Sequence, residues 1–183
     1  MKKLKDIYDP KFIEKFGVKS PLFEEITIED DINFIDVEEI ANHLGIEIEY
    51  DILNKSGECE NDKIIVNILD ADVRQRFTIA HEMGHIFLHE LTEAKSRHYD
   101  ISSYVDSEHR NEEREANNFA ANLLMPIKLV LPKIKNYLEE NNLGETLDSE
   151  EYEMMIESVS GDMFVSKSSL EYRLENIGLV KES

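Results

Sequence analysis

The chain has 183 residues, enough for one domain with a buried core. Forty Asp and Glu against twenty Lys and Arg leave a formal net charge of -20, a surface that repels phosphate backbones and disfavours direct nucleic-acid binding. No apolar run approaches the length of a membrane span, no signal-like apolar stretch follows the early lysines, and a single cysteine, Cys59, allows no internal disulfide; a cytoplasmic protein without membrane attachment is expected.

Residues 1–34 carry Pro10, Gly17 and Pro21 among short apolar clusters without a sustained period, and read as an N-terminal extension with one short helix. From residue 35 to 183 the pattern is that of one domain. Asp36 with Glu39 three residues on forms a capping box, Val37, Ile40, Ala41 and Leu44 make an apolar face, and Gly45 ends the helix. Residues 46–53 alternate apolar and polar and predict a strand; Ser56 to Asp62 reads as a polar turn in which Cys59 is structural or incidental. Residues 63–68 then read as the antiparallel partner. Asp70 or Asp72 caps a central helix expected over 73–90, residues 91–107 form a loop, and a second helix runs over 108–124. Pro132 predicts a bend with a helix over 133–142. The closing segment 149–180 holds two helices in a helix-turn-helix-like pair, the second capped by Ser166. Eight acidic residues against three basic from Glu150 onward argue against a DNA-reading role and for packing on the rest. The expected class is α+β, predominantly helical, with a small antiparallel sheet on the central helix.

The central helix carries His81-Glu82-Met83-Gly84-His85, an HExxH pattern. Residues four apart lie one above the other on a helix, so His81 and His85 can present imidazole nitrogens to one metal ion, with Glu82 beside them as a proton acceptor. Apolar runs on both sides predict burial of this helix, where unpartnered histidines would be costly. His89, two turns beyond His81, is too distant to join the same ion and reads as a helix-end residue.

A third ligand is sought on the second helix. Glu113, Ala116, Asn117, Ala120 and Leu124 share a face on which small residues let another helix approach. Glu112 and Glu115 are rivals, but only Glu113 has Asn117 one turn on, placed to hydrogen-bond the ligand shell. Two histidines and a glutamate would hold zinc with one position open, the catalytic arrangement, although nitrogen and carboxylate ligands also accept manganese and cobalt. The extended motif with a third histidine fails, because Leu88 stands where its glycine would be and Leu91 where its last histidine would be.

The stretch Arg76 to His85, the stretch Glu113 to Pro126, the closing residues 164–179 and the segment 35–45 together resemble the ImmA/IrrE family of metallopeptidases. The resemblance implies a zinc endopeptidase of mobile elements or stress responses, often partnered with a helix-turn-helix repressor that it cleaves. By motif position it makes His81, His85 and Glu113 the zinc ligands and Glu82 the general base. An oxyanion-stabilising side chain is expected among His98, Tyr99, Tyr104 and His109. The competing class is a non-cleaving binding module that sequesters a repressor or antitoxin; the retained Glu82 speaks against it, because binding needs no general base.

Overall fold

The computed structural model describes residues 2–29, 32–89, 105–144 and 146–180. The first of these stretches is built from short pieces. Strands β1 (Lys2–Lys3) and β2 (Thr27–Ile28) pair antiparallel, and between them lie 3-10 turns at Leu4–Asp6 and Gly17–Glu24 and helix α1 (Pro10–Glu14). Asp9 caps α1 by accepting from Lys11 N at 2.8 Å, and Pro10 occupies the first helical position, where no N–H is needed. Phe12 and Phe16 bring their rings to 5.2 Å from Phe119, and Phe16 stands 4.8 Å from Phe87. The segment without a sustained period therefore supplies buried rings to the centre of the molecule. Its apolar residues follow several brief turns of different pitch, so no single period emerges.

Helix α2 (Val37–His43) begins at the expected cap, with the Asp36 carboxylate accepting from Glu39 N at 2.9 Å, the Asp36 half of the expected box. It ends at Gly45, whose φ of +72° is a left-handed conformation that glycine adopts without a Cβ penalty. The sheet differs from expectation. Its order is β3 (Glu47–Asp51), β5 (Lys63–Asn67), β4 (Gly57–Glu60). β3 pairs with β5 parallel, and the antiparallel partner of β5 is β4, formed from residues read as a turn. Period-two alternation marks one buried face but carries no information about strand direction. Gly57 and Cys59 look like turn residues in sequence, yet pairing with β5 makes the stretch a strand, and both positions face the helix beneath.

Helix α3 (Asp72–Leu88) is the central element. Neither expected aspartate caps it. Ala71 occupies the cap position without a side-chain bond, while Asp70 pairs with Arg74 at 3.1 Å and Asp72 enters the first turn, where a negative charge suits the helix dipole. Helix α4 (Val105–Leu124) follows; the loop expected over 91–107, with His98, Tyr99 and Tyr104, lies almost wholly outside the described residues. Helix α5 (Ile127–Glu140) passes straight through Pro132 rather than starting after it. Lys128 and Pro132 are both exposed, so the carbonyl that loses its donor lies on the solvent side.

Helix α6 (Ser149–Met163) opens with a capping box between Asp148 and Glu151 and closes at Phe164, which is left-handed at φ 54°. Helix α7 (Lys167–Asn176) starts from Ser166, whose hydroxyl accepts from Ser169 N at 3.1 Å. The closing helices pack on the rest. Arg173 Nε donates to Met125 O at 2.9 Å, and Tyr172 donates to Asn118 Oδ1 at 2.7 Å. The result is a mostly helical α+β molecule in which α3 has the sheet on one side and α4 on the other. Among the described residues, no helix is long and apolar enough to cross a membrane.

Candidate metal centre

The site forms where α3 and α4 come closest. Gly84, inside the HExxH stretch, faces Ala116, and a Cβ built on Gly84 would stand 2.9 Å from Ala116 Cα and 3.2 Å from Phe119 Cβ. A small residue on each helix thus sets the interhelical distance, and Glu113, one turn before Ala116, reaches across. The ligand atoms of His81, His85 and Glu113 all lie within 4.8 Å of one another. His81 Nε2 is 3.1 Å from His85 Nε2, and Glu113 places its oxygens 3.4 Å from His81 Nε2 and 3.3 Å from His85 Nε2.

These separations suit a metal ion. Ligand bonds of about 2.0–2.1 Å in tetrahedral directions put neighbouring donor atoms roughly 3.3–3.4 Å apart, close to the His81–His85 separation and to the distance from each histidine to its nearer Glu113 oxygen, Oε2 for His81 and Oε1 for His85. The chemistry of the donors agrees. His81 Nδ1 donates to Asn117 Oδ1 at 3.0 Å, which leaves the Nε2 lone pair turned toward Glu113 and His85. Three electron-pair donors this close need a proton or a cation between them. Hydrogen bonds from His81 and His85 hold the Glu113 carboxyl well below the usual carboxylate range. Burial pushes the His81 imidazolium down, but Glu113, Glu82 and Asn117 together outweigh it, and the net shift is upward. The pocket favours positive charge.

The rival glutamates are elsewhere. Glu115 is 59% exposed and 3.9 Å from His89, and the backbone oxygen of Glu112 is 3.2 Å from His89 Nε2. His89 caps the end of α3 with its side chain largely covered, outside the cluster, as its distance along the helix required. Of the four side chains considered for oxyanion stabilisation only His109 is described; its Nε2 stands 4.0 Å from Glu113 Oε1.

Glu82 leaves α3 on the side of the sheet. Gly57 of β4 lies over Thr78 and Glu82, so closely that a Cβ there would collide with the Thr78 methyl. Cys59, on the same face of β4, turns its thiol to the Glu82 carboxylate; burial first and that carboxylate second push the thiol's pKa far up, so it stays protonated and able to donate. No local pattern signals this, because Gly57 and Cys59 lie in what reads as a polar turn. Arg76, within the family-like stretch, has a structural place that no local pattern signals. It is buried between the rings of Phe34 and Phe164 and donates to Ile35 O at 2.7 Å and Phe164 O at 3.1 Å, tying α3 to the start of α2 and to the turn after α6.

Comparison with protein families agrees with this geometry. A comparison with individually characterised proteins returns no significant match. The family model described as the IrrE N-terminal-like domain, Peptidase_M78, matches residues 41–175, a span that contains α3, α4 and α6 and all but the last residue of α7. With three quarters of its length matched and His81, His85 and Glu113 gathered to hold one metal ion, the chain belongs to the M78 family of IrrE-like metallopeptidases.

Proposed function

We propose that the protein is a cytoplasmic zinc-dependent endopeptidase that cleaves a helix-turn-helix transcriptional repressor or a similar regulatory protein of a mobile element, stress or toxin-antitoxin-like system. The observation that carries this reading is the convergence of His81 Nε2, His85 Nε2 and a Glu113 carboxylate at 3.1–3.4 Å, beside a further carboxylate, Glu82, that is not among the three. His81, His85 and Glu113 would hold the metal, and Asn117 would keep His81 in the tautomer that exposes Nε2. A bound zinc ion supplies Lewis acidity, lowering the pKa of a water and polarising the scissile carbonyl. Glu82 accepts a proton from the attacking water and delivers it to the leaving nitrogen. Cys59, on the β4 face turned to α3, would keep a protonated thiol next to that carboxylate. His109, one turn before Glu113, is the described candidate for stabilising the developing oxyanion.

The test replaces Glu82 by Gln. The variant is expected to bind one zinc per chain as the wild type does while losing at least about 100-fold in cleavage of the partner. A small repressor encoded beside this protein is the first substrate to try, with and without chelator. Undiminished cleavage by a metal-loaded Glu82→Gln protein refutes the assignment, and equal relief of repression by both forms without any cut would establish the non-cleaving module instead.

A further inference from the structure

The sheet exposes two unpaired edges among the described residues, one along β3 and one along β4. Only β4 runs over Glu82. Its register with β5 decides which of its backbone groups are free. Asn67 N donates to Ser56 O at 2.8 Å, so residues 56 and 67 form a hydrogen-bonded pair. Such pairs alternate along an antiparallel ladder. Glu58 opposite Ile65 and Glu60 opposite Lys63 are therefore bonded to β5, whereas Gly57 opposite Val66 and Cys59 opposite Ile64 are not. Gly57 and Cys59 aim their N–H and C=O off the open edge, and their side-chain positions face α3 and Glu82.

Glu58 and Glu60 project from the opposite face. That outer surface also carries Glu47, Glu49 and Asp51 of β3, and Lys63 is the only basic residue on the three strands. Lys63 pairs with Glu49 across the sheet, away from the open edge, and Lys55 pairs with Glu58 at 3.0 Å. The edge beside the site is thus a strand template bordered by negative charge, on a chain whose net charge is -20.

We propose that β4 selects a basic, extended peptide segment: the segment adds to the open edge through Gly57 and Cys59, and its alternate Lys or Arg side chains lie over Glu58 and Glu60. Strand addition supplies affinity through main-chain bonds, and side chains on one face supply selection. Period two does the sorting. Substrate residues opposite Gly57 and Cys59 point their N–H groups at β4 and their side chains toward α3. Residues opposite Glu58 and Glu60 point their N–H groups away and their side chains at the glutamates. Exposed charge pairs contribute modestly, so the selection amounts to a few-fold per position and weakens with salt.

This inference rests on the peptidase reading of the site, and its test separates the two. Zinc-loaded Glu82→Gln protein is titrated with fluorescent ten-residue peptides of the patterns (Lys-Thr)5 and (Glu-Thr)5, at low and at high salt. Binding of the lysine peptide about tenfold tighter is expected, with the preference lost in 0.5 M salt and reversed in a Glu58→Lys/Glu60→Lys background whose zinc content and fold are unchanged. N-methylation of every Thr in the lysine peptide should abolish binding, and N-methylation of every Lys should not. In parallel, the wild-type enzyme is given a digest of denatured proteins and its cut peptides are sequenced. Equal binding of the two patterns, a preference that survives the charge reversal, or indifference to which residues are methylated overturns the proposal. Cutting without charge preference overturns it too and leaves the peptidase reading standing. Charge-selective binding with no cutting by the wild type does the reverse.

Discussion

Gly84→Ala is the sharpest probe of how the metal centre is built. The new Cβ would lie 2.9 Å from Ala116 Cα and 3.2 Å from Ala116 O, atoms of backbone that cannot swing aside. Carbon atoms rest about 3.5–4.0 Å apart, so α4 must retreat by roughly 0.6–1.1 Å at this crossing. Glu113 rides on α4 three residues earlier and retreats with it. Metal ligation tolerates only about 0.2 Å, so zinc affinity should fall about 10–100-fold, taking about 1.4–2.7 kcal/mol from the stabilisation that zinc provides. Without metal, a gain of about 0.5–1 kcal/mol from replacing a mid-helix glycine opposes an overpacking cost of about 1–3 kcal/mol. The expected net loss, up to about 2.5 kcal/mol, lowers Tm by up to about 10 °C. Thermal unfolding with and without zinc, together with a competition titration against a chromophoric chelator, reads both quantities. Gly161→Ala on α6 is the control, because a Cβ there meets nothing within 4 Å; it should stabilise and leave zinc binding untouched. A Gly84→Ala protein that binds zinc as tightly as wild type and melts higher would refute the idea that this contact sets the reach of Glu113.

Three further outcomes are expected. Alanine at Glu113 should abolish stoichiometric zinc binding, whereas alanine at Glu112 or Glu115 should leave at least the wild-type stoichiometry in metal analysis, since their side chains are outside the cluster. Asn117→Ala should keep the fold but weaken zinc about 10–100-fold in the same titration, by freeing the tautomer of His81. The pH response of the metal-free protein follows from the two shifts. His81 is raised, so its contribution to stability is present below its unfolded value of 6.5 and is lost as pH rises through the folded value. Glu113 is lowered, so its contribution is present above 4.5 and is lost as pH falls through its folded value. The pairing therefore supports the metal-free fold best between these limits. Zinc needs the imidazoles deprotonated, so the rise in Tm on adding zinc should grow from pH 5.5 to pH 7.5, and loading should release protons in a weakly buffered titration.

Local chemistry made much of this protein legible from its residues. His81 and His85 are four apart on a helix, Asn117 is four from Glu113, Asp36 and Ser166 are caps, and each of these relations holds within one or two turns of chain. Those readings survive because helix geometry alone dictates them. Asn117 one turn on singled out Glu113 over Glu112 and Glu115 locally, but its place beside the two histidines depends on the approach of α4 to α3 at Gly84, a contact between residues far apart in sequence. Strand direction likewise escaped the alternating pattern, which reports which face is buried and nothing about the neighbour. The same limit hid β4. Gly57 and Cys59 belong to a strand through their pairing with β5, and the close approach of α3 suits a residue without a side chain and a small thiol. Nor could periodicity place Phe12 and Phe16 against Phe87 and Phe119, since short turns carry no lasting period. The residues by themselves determined that two histidines share one face of a helix; tertiary packing decided which carboxylate lies beside them and which strand edge lies beside Glu82, because both depend on distances between elements that no local rule specifies.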